Sequence, residues 1–302
     1  MSTSSQKHNR KSLIGNRKLL KLIRPLHLIL AALTYSLGVS IANYLGNPFK
    51  ANAFWLGLAA VLLAQLSMNL LSDVFRLDAE PLLENETRTA RQILRNNALY
   101  ISIASLAVIA FIAYLLFVND QLPFAAFSFL LISLILILVY SLPVFRTRGF
   151  GEFLLAAQLS YIFPSIGFIL QAGETHRFLM LTIPLTFLAF AYFIVTNFPS
   201  FATDRKYNRI TFLTQLGWER VVPLHHLFVL CAYLFFVASP AFGLSLSLIW
   251  RVFLTFPFAL FQIFQLRNIS LGAPTNWTLL TVTALTTFGL TTYLLMLTFW
   301  LR

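Results

Sequence analysis

Half of the acidic residues in this sequence lie within one short segment. Of the ten aspartates and glutamates in the chain, five fall within fourteen positions: Asp73, Asp78, Glu80, Glu84 and Glu86. This segment follows a run of apolar positions and begins in the stretch NLLSDVFRLDAE, residues 69–80, which also contains Arg76. Ionisable groups beside apolar segments are costly unless they face a protein interior or a wet cavity, where they usually serve function. The clustering therefore indicates a site for an ionic ligand.

The spacing places several of these residues on one face of a helix. At 100° per residue, one stripe holds Asn69, Asp73, Arg76 and Glu80. A second polar segment, TNFPSFATDRKYNR at 196–209, supplies Asn197, Asp204, Arg205 and Lys206. Carboxylates at two helix ends suit Mg²⁺, which binds one or two carboxylates together with phosphate oxygens, and arginines suit the phosphate itself. The same charges could instead cap helices and fix membrane topology.

The composition is that of a membrane protein. The chain has 302 residues, 58% of them hydrophobic and 11% charged, with a mean hydropathy of +0.78. A soluble domain has about 25% charged residues, and several apolar runs here exceed the ~18 residues that cross a bilayer core. Because every backbone group in lipid must be satisfied internally, we expect an all-α fold. The predicted transmembrane helices number nine, at about 23–44, 53–77, 97–117, 122–140, 153–171, 178–198, 221–239, 244–264 and 277–300.

The distribution of Lys and Arg predicts the orientation of these helices. Residues 1–24 hold seven such residues, and the loops after the even-numbered spans are basic whereas the opposite loops are nearly free of positive charge. The positive-inside rule therefore puts the N-terminus and the site loops on the cytoplasmic face, at the cytoplasmic membrane if the protein is bacterial. We expect a basic cytoplasmic segment at 1–22 and a single transmembrane domain at 23–302.

The net charge of +12 follows from this topology and favours contact with anionic membrane lipids. Nucleic acid is excluded as a partner, because no soluble module is predicted that could hold it. The single cysteine, Cys231, lies in an apolar run and rules out a disulfide framework within one chain. His225 and His226 at the start of the seventh span are expected to be structural, whereas His27 in the first span could face a cavity.

Both polar segments resemble motifs of a known family. The stretch SDVFRLDAE puts Ser72, Asp73, Arg76 and Glu80 on the pattern Asn-Asp-x-x-Asp-x-x-x-Asp. In TNFPSFATDRKYNRITFLTQLG, Asn197, Asp204 and Arg205 fit a second pattern, in which Ser200 replaces an aspartate and Asn208 a glycine. These are the aspartate-rich motifs of the UbiA superfamily of intramembrane prenyltransferases, which the chain resembles from about residue 20 to 220. The resemblance is closest to the branch that prenylates dihydroxynaphthoate in menaquinone synthesis.

The resemblance implies transfer of a polyprenyl group from its diphosphate to a lipophilic acceptor, with Mg²⁺ neutralising the diphosphate. An aromatic quinone precursor is the acceptor that the resemblance leads us to expect. By this resemblance, catalysis and Mg²⁺ binding are expected of Asp73, Glu80 and Asp204. Contacts to the diphosphate are expected from Asn69, Arg76, Tyr140, Arg146, Arg148, Asn197, Arg205 and Lys206.

Two departures from the motifs leave alternatives open. A guanidinium at Arg76 would pair with Asp73 or Glu80 and weaken the binding of a dication, or it would contact the diphosphate directly. Ser200 offers a hydroxyl where the motif has a carboxylate, so we expect a weakened Mg²⁺ site. Three functions remain: a Mg²⁺-dependent prenyltransferase, a catalytically impaired relative that binds isoprenoid lipid or a protein partner, and an intramembrane terpene cyclase.

Overall fold

The computed structural model describes residues 22–76, 82, 87–142 and 149–302. Within these ranges the regular secondary structure is helical, and the described residues include no strand. Several residues of the predicted site lie outside the described ranges, as does the basic segment before Leu22: Asp78, Glu80, Glu84, Glu86, Arg146 and Arg148.

Nine helices in the described part of the chain are long and apolar enough to cross a membrane. The first six are α1 (Pro25–Tyr44), α2 (Ala51–Val74), α3 (Arg88–Val118), α4 (Phe124–Ser141), α5 (Gly151–Ala172) and α6 (Arg177–Asn197). Two short helices follow, α7 (Phe201–Lys206) and α8 (Phe212–Leu216). The last three spans are α9 (Trp218–Val237), α10 (Leu246–Ser270) and α11 (Trp277–Trp300). The predicted all-α fold with nine spans is confirmed, whereas the orientation of the N-terminus stays a prediction.

The third span begins earlier than the sequence predicts. It was expected from residue 97 and begins at Arg88, where the Thr87 hydroxyl caps the helix by accepting a hydrogen bond from the Ala90 N–H at 3.2 Å. The additional turns contain Arg91 and Arg95, which lower the local hydropathy below that of a membrane span. Hydropathy detects the lipid-spanning part of a helix, so it misses turns that extend beyond the lipid.

Two of the spans contain a wider, π-helical turn. In α5 this turn covers Gln158–Ile162 and precedes Pro164, and in α11 it covers Thr286–Leu290. Proline has no N–H to donate, and its ring clashes with the carbonyl four residues earlier. The wide turn in α5 accommodates this proline without ending the span, as local π adjustments do in other membrane helices.

Close backbone contact joins α1 to α5. A Cβ atom added to Gly38 would lie 1.8 Å from the Pro164 carbonyl oxygen, and one added to Gly167 would lie 2.3 Å from the Tyr35 carbonyl oxygen. Because lipid tails are as apolar as the side chains, membrane helices associate through close packing at small residues rather than through hydrophobic burial alone. The Tyr35 hydroxyl donates to the Phe54 carbonyl at 3.0 Å and thereby also joins α1 to α2.

The ends of several spans meet at one end of the bundle. The Arg24 side chain, just before α1, reaches Asp73 in the last turn of α2. The Asn197 side chain at the end of α6 reaches Glu152 in the first turn of α5. The two polar segments found in the sequence therefore lie on the same side of the bundle, as predicted.

We predict that Gly38→Leu destabilises the fold strongly. The added side chain would overlap the α5 backbone at Pro164, and overpacking of a core usually costs about 1–3 kcal/mol and sometimes more. Thermal unfolding of the purified protein in detergent should show a clear drop in Tm. Gly289→Ala is the matched control, because a Cβ there would make only an ordinary 3.5 Å contact with Leu30. An unchanged Tm for Gly38→Leu would contradict the close α1–α5 contact.

Candidate anion-binding site

A cavity of about 280 Å³ lies where the two polar segments meet. Its polar lining consists of Arg24, His27, Arg76, Tyr140, Glu152, Thr196, Asn197, Ser200, Arg209 and Thr211. Its apolar lining includes Val139, Leu154, Leu155 and Phe193. The charged groups on the described wall are thus three arginines and one glutamate, and polar groups that converge on a cavity with apolar side chains are typical of a small-ligand site.

Asp73 lies behind two of these arginines. Its side chain is 2% exposed, and its Oδ1 atom accepts from Arg24 Nη2 at 3.1 Å and from Arg76 Nη2 at 2.7 Å. Arg24 and Arg76 line the cavity, whereas Asp73 is not part of the wall. The pairing of Arg76 with Asp73, one of the alternatives left open by the sequence, is confirmed. Asp73 therefore holds two guanidinium groups at the cavity.

Arg24 adopts an uncommon backbone conformation at the start of α1. Its φ of 52° and ψ of 69° lie in the left-handed region, which costs a non-glycine residue about 1–3 kcal/mol and persists only where the surroundings hold it. Burial lowers the pKa of the Arg24 guanidinium, but the neighbouring Asp73 and Tyr140 side chains more than offset this and raise the pKa above its ordinary value. The ion pair with Asp73 thus holds a permanent positive charge here.

Asn69 connects α1 to α2 behind the cavity. Its Oδ1 atom lies 3.1 Å from His27 Nδ1 and accepts from Gln65 Nε2 at 2.9 Å, and its Nδ2 atom donates to the Ile23 carbonyl at 2.8 Å. This arrangement puts the proton of a neutral His27 on Nδ1 and leaves Nε2 as an acceptor. His27 lines the cavity, as the sequence allowed, but Asn69 does not. In the structure Asn69 contacts His27, Gln65 and the Ile23 carbonyl, and its predicted contact with the diphosphate stays a prediction.

The second half of the site repeats the arrangement found at Asp73. Asp204 in α7 is 3% exposed and does not line the cavity. Its carboxylate accepts from Ser200 Oγ at 2.8 Å and from Arg209 Nη1 at 3.3 Å. Ser200 and Arg209 are both part of the wall. Again a buried aspartate lies behind a cationic side chain that lines the cavity.

Asn208 preserves a turn that the second motif assigns to glycine. Its φ is 51°, in the left-handed region that glycine enters freely and asparagine tolerates better than most residues. The turn lets the Arg209 N–H donate to the Asp204 carbonyl at 2.8 Å. The replacement of glycine by Asn208 is therefore conservative in backbone geometry.

Glu152 joins three helices at the cavity. It is 5% exposed, and it accepts hydrogen bonds from the Asn197 amide of α6 and, at 3.1 Å, from the Phe212 N–H of α8. The first N–H groups of a helix have no partner within the helix, so a carboxylate is a favourable acceptor there. Sequence reasoning missed Glu152, although a lone glutamate at the start of an apolar span was a usable signal.

The structure brings three of the described members of the predicted diphosphate set to the cavity, and Arg146 and Arg148 lie outside the described residues. Arg76, Tyr140 and Asn197 line it, whereas Arg205 and Lys206 are exposed and do not. Their place on the wall is taken by Arg24 and Arg209. Arg209 lies in the second polar segment, TNFPSFATDRKYNR, but was not among the predicted site residues. Nothing in the sequence singled out Arg24 beyond its place in the basic N-terminal segment.

The paired histidines lie apart from the cavity. His225 is fully buried, with Nε2 2.7 Å from the Gln262 side-chain nitrogen and Nδ1 3.2 Å from His226 Nδ1. These contacts connect α9 to α10 and agree with the predicted structural role.

The described carboxylates do not fit a Mg²⁺ site. Mg²⁺ requires oxygen ligands at about 2.0–2.1 Å in octahedral geometry. Asp73 Oδ1 already accepts from two guanidinium groups, and both carboxylate oxygens of Asp204 already accept hydrogen bonds. Among the residues that the structure describes, no three His, Cys, Asp or Glu side chains are grouped to hold a metal. This geometry disagrees with the predicted metal role of Asp73 and Asp204, and Glu80 lies outside the described residues.

Comparison with known proteins gives one consistent family. The model of the UbiA prenyltransferase family matches residues 31–281. No curated protein sequence matches the chain. The menaquinone branch suggested by the sequence stays a prediction.

Solved structures of similar proteins share the fold. A UbiA homologue from Archaeoglobus fulgidus bound to GPP and Mg²⁺ has a TM-score of 0.62 and 18% identity, covering 94% of this chain and 98% of that one. A digeranylgeranylglyceryl phosphate synthase structure has a TM-score of 0.58 and 14% identity, covering 95% and 98%. The apo UbiA homologue from Aeropyrum pernix K1 has a TM-score of 0.55 and 14% identity, covering 90% and 94%. At these identities the likeness establishes the fold.

We predict that Glu152→Gln lowers the stability of the site. The N–H₂ group that replaces Oε2 would lie 3.3 Å from the Phe212 N–H, and the hydrogen bonds that Oε1 accepts from Asn197 and Phe212 would lose their charge assistance, at a cost of about 1–3 kcal/mol. The Tm in detergent should fall accordingly. Glu219→Gln, at an exposed position in α9, makes the same chemical change and should leave the Tm unaltered. Equal Tm values for the two variants would argue against the role of Glu152 in joining the helices.

Proposed function

The chain belongs to the UbiA prenyltransferase family, and from this premise we propose that it binds a prenyl diphosphate in the arginine-lined cavity and transfers the prenyl group to a lipophilic acceptor. The observation that carries the proposal is the cavity wall itself. Three arginines, Arg24, Arg76 and Arg209, converge there from separate parts of the chain. A cluster of guanidinium groups beside an apolar wall suits a ligand with an anionic head and a hydrocarbon tail.

The chemistry of the wall supports a diphosphate as the head group. Guanidinium groups offer planar pairs of N–H donors that match phosphate oxygens, and such charge-assisted hydrogen bonds are roughly twice as strong as neutral ones. The side chains of Leu154, Leu155 and Phe193 would contact the prenyl carbons. Structures of the Archaeoglobus fulgidus homologue bound to GPP and to DMAPP support this ligand class for a chain of the same fold.

The proposed reaction breaks the bond between the first prenyl carbon and the diphosphate oxygen. The electron pair leaves with the diphosphate, whose growing negative charge the arginines stabilise where water is largely excluded. The positive charge that develops on the prenyl carbon would be stabilised by aromatic faces, for which Phe193, Tyr140 and Phe150 line the cavity. The acceptor then bonds to that carbon and releases a proton.

The acceptor class and the side of the membrane are further parts of this proposal. The resemblance to the menaquinone branch favours an aromatic quinone precursor as acceptor. The concentration of Lys and Arg in the N-terminal segment and in the loops beside the site favours an opening toward the cytoplasmic face.

A second candidate function is binding of the prenyl diphosphate without transfer. The pairing of Arg76 with Asp73, together with the absence of Asp73 and Asp204 from the described cavity wall, favours it. A protein that binds the diphosphate in nanodiscs but releases no diphosphate with a range of aromatic and lipid acceptors would have this second function.

We predict that Arg76→Gln weakens the binding of geranyl diphosphate. One charge-assisted hydrogen bond contributes about 1.5–3 kcal/mol, which corresponds to a loss in affinity of about 10- to 150-fold. The fold should persist, because Arg24 still pairs with Asp73. Calorimetry on the protein in nanodiscs gives Kd, and geraniol serves as the ligand without the anionic head.

The matched control for this experiment is Arg220→Gln, which removes the same charge at an exposed position in α9 outside the cavity. Its Kd should equal that of the unmodified protein. If the unmodified protein bound geraniol as tightly as geranyl diphosphate, the cavity would not be a diphosphate site and the proposal would fail.

A further inference from the structure

We infer that this protein binds the diphosphate directly through its arginines, without Mg²⁺, and that Asp73 and Asp204 are positioning residues for those arginines. The inference rests on the proposed function, because it concerns how the same cavity recognises its ligand. It differs from the expectation that the resemblance raised, in which both aspartates hold the metal.

The order of the charged layers is the first observation. In both halves of the site the cation lines the cavity and the buried aspartate lies behind it: Arg24 and Arg76 in front of Asp73, and Arg209 in front of Asp204. A metal bridging an aspartate and a diphosphate would need the opposite order, with the carboxylate facing the ligand. On the described wall Glu152 is the only carboxylate, and it already accepts hydrogen bonds from Asn197 and Phe212, so the described geometry presents mainly guanidinium groups to the ligand.

The guanidinium group can serve both neighbours at once. It carries five N–H donors in a planar fork, so one edge can bind a carboxylate while another binds a phosphate oxygen. The ion pair fixes the arginine side chain before the ligand binds, so less side-chain conformational entropy is lost on binding. Asp73 does this for two arginines through a single oxygen, at 3.1 Å and 2.7 Å.

The two departures from the aspartate-rich motifs act in the same direction. Arg76 adds a positive charge to the cavity wall at a position where the first motif has a carboxylate. Ser200 removes a carboxylate from the second motif, and its hydroxyl donates to Asp204 instead of facing a metal. A dication approaching either aspartate would have to displace the guanidinium groups or lie beside like charges. Both changes therefore weaken metal binding, and Arg76 also supplies a charge for the anion.

The test is calorimetric binding of geranyl diphosphate to the full chain in nanodiscs, once with Mg²⁺ and once with EDTA. We expect the Kd measured with Mg²⁺ and the Kd measured with EDTA to agree within about threefold. Binding only in the presence of Mg²⁺ would overturn this inference while leaving the proposed function intact. A lack of binding under both conditions would remove the proposed function and this inference with it.

A motif-restoring variant sharpens the test. The double variant Arg76→Asp/Ser200→Asp puts carboxylates at the two positions where this chain departs from the motifs. We expect its affinity for geranyl diphosphate in EDTA to fall at least tenfold, and Mg²⁺ to restore part of that affinity. Arg220→Asp makes the same change as the first of these substitutions at an exposed position, and its binding should remain independent of Mg²⁺. If the restored variant bound equally well in Mg²⁺ and in EDTA, Arg76 and Ser200 would not determine metal dependence.

The positioning role has its own readout. Asp204→Asn should weaken binding by the same factor in Mg²⁺ and in EDTA, because it releases Arg209 and not a metal. A loss seen only with Mg²⁺ would identify Asp204 as a metal ligand and overturn the assignment. A purely structural defect would lower the fraction of protein that binds and leave Kd unchanged, and this outcome too would contradict the positioning role. Asp204→Glu should recover part of the affinity.

Discussion

The Asp73 carboxylate is buried at the end of α2 and accepts hydrogen bonds from two guanidinium groups at one oxygen. A buried charge is tolerated only when it is paired, and removing one partner of such a pair typically costs about 3–5 kcal/mol. Both arginines line the cavity, so this carboxylate holds two guanidinium groups at its wall. The positions of the Arg24 and Arg76 side chains, and with them much of the positive charge on the described wall, depend on this one carboxylate.

The helical frame makes this interaction possible. Because α1 and α5 touch through their backbones at Gly38 and Gly167, the ends of α1, α2, α5 and α6 are brought together at one end of the bundle. Glu152 then joins α5, α6 and α8 through the Asn197 amide and the Phe212 N–H. Rigid helix ends hold functional side chains more accurately than loops do, so the cavity wall is set by packing far from it.

The site also shows how a family can keep its fold while the chemistry of one position changes. Family membership and the shared fold are established by the match over residues 31–281 and by the solved homologues. A fold does not by itself fix function, which depends on the groups at the site. Here Arg76 stands where the motif has a carboxylate, and its guanidinium pairs with Asp73. Arg24 contacts the same carboxylate, so two arginines share one anion.

Hydropathy alone determined the number and approximate position of the spans, because burial in lipid depends on composition averaged over about 20 residues. The span count alone placed Asp73, Asp204 and Asn197 at one end of the bundle, because all three lie at or just after the ends of even-numbered spans. Only the tertiary structure decided which charges face the cavity. Arg24 lies 49 positions from Asp73 in the chain, and Arg209, rather than Arg205, lines the wall. The direction of a long side chain depends on the partner that packing brings to it, and no local pattern in the sequence contains that partner.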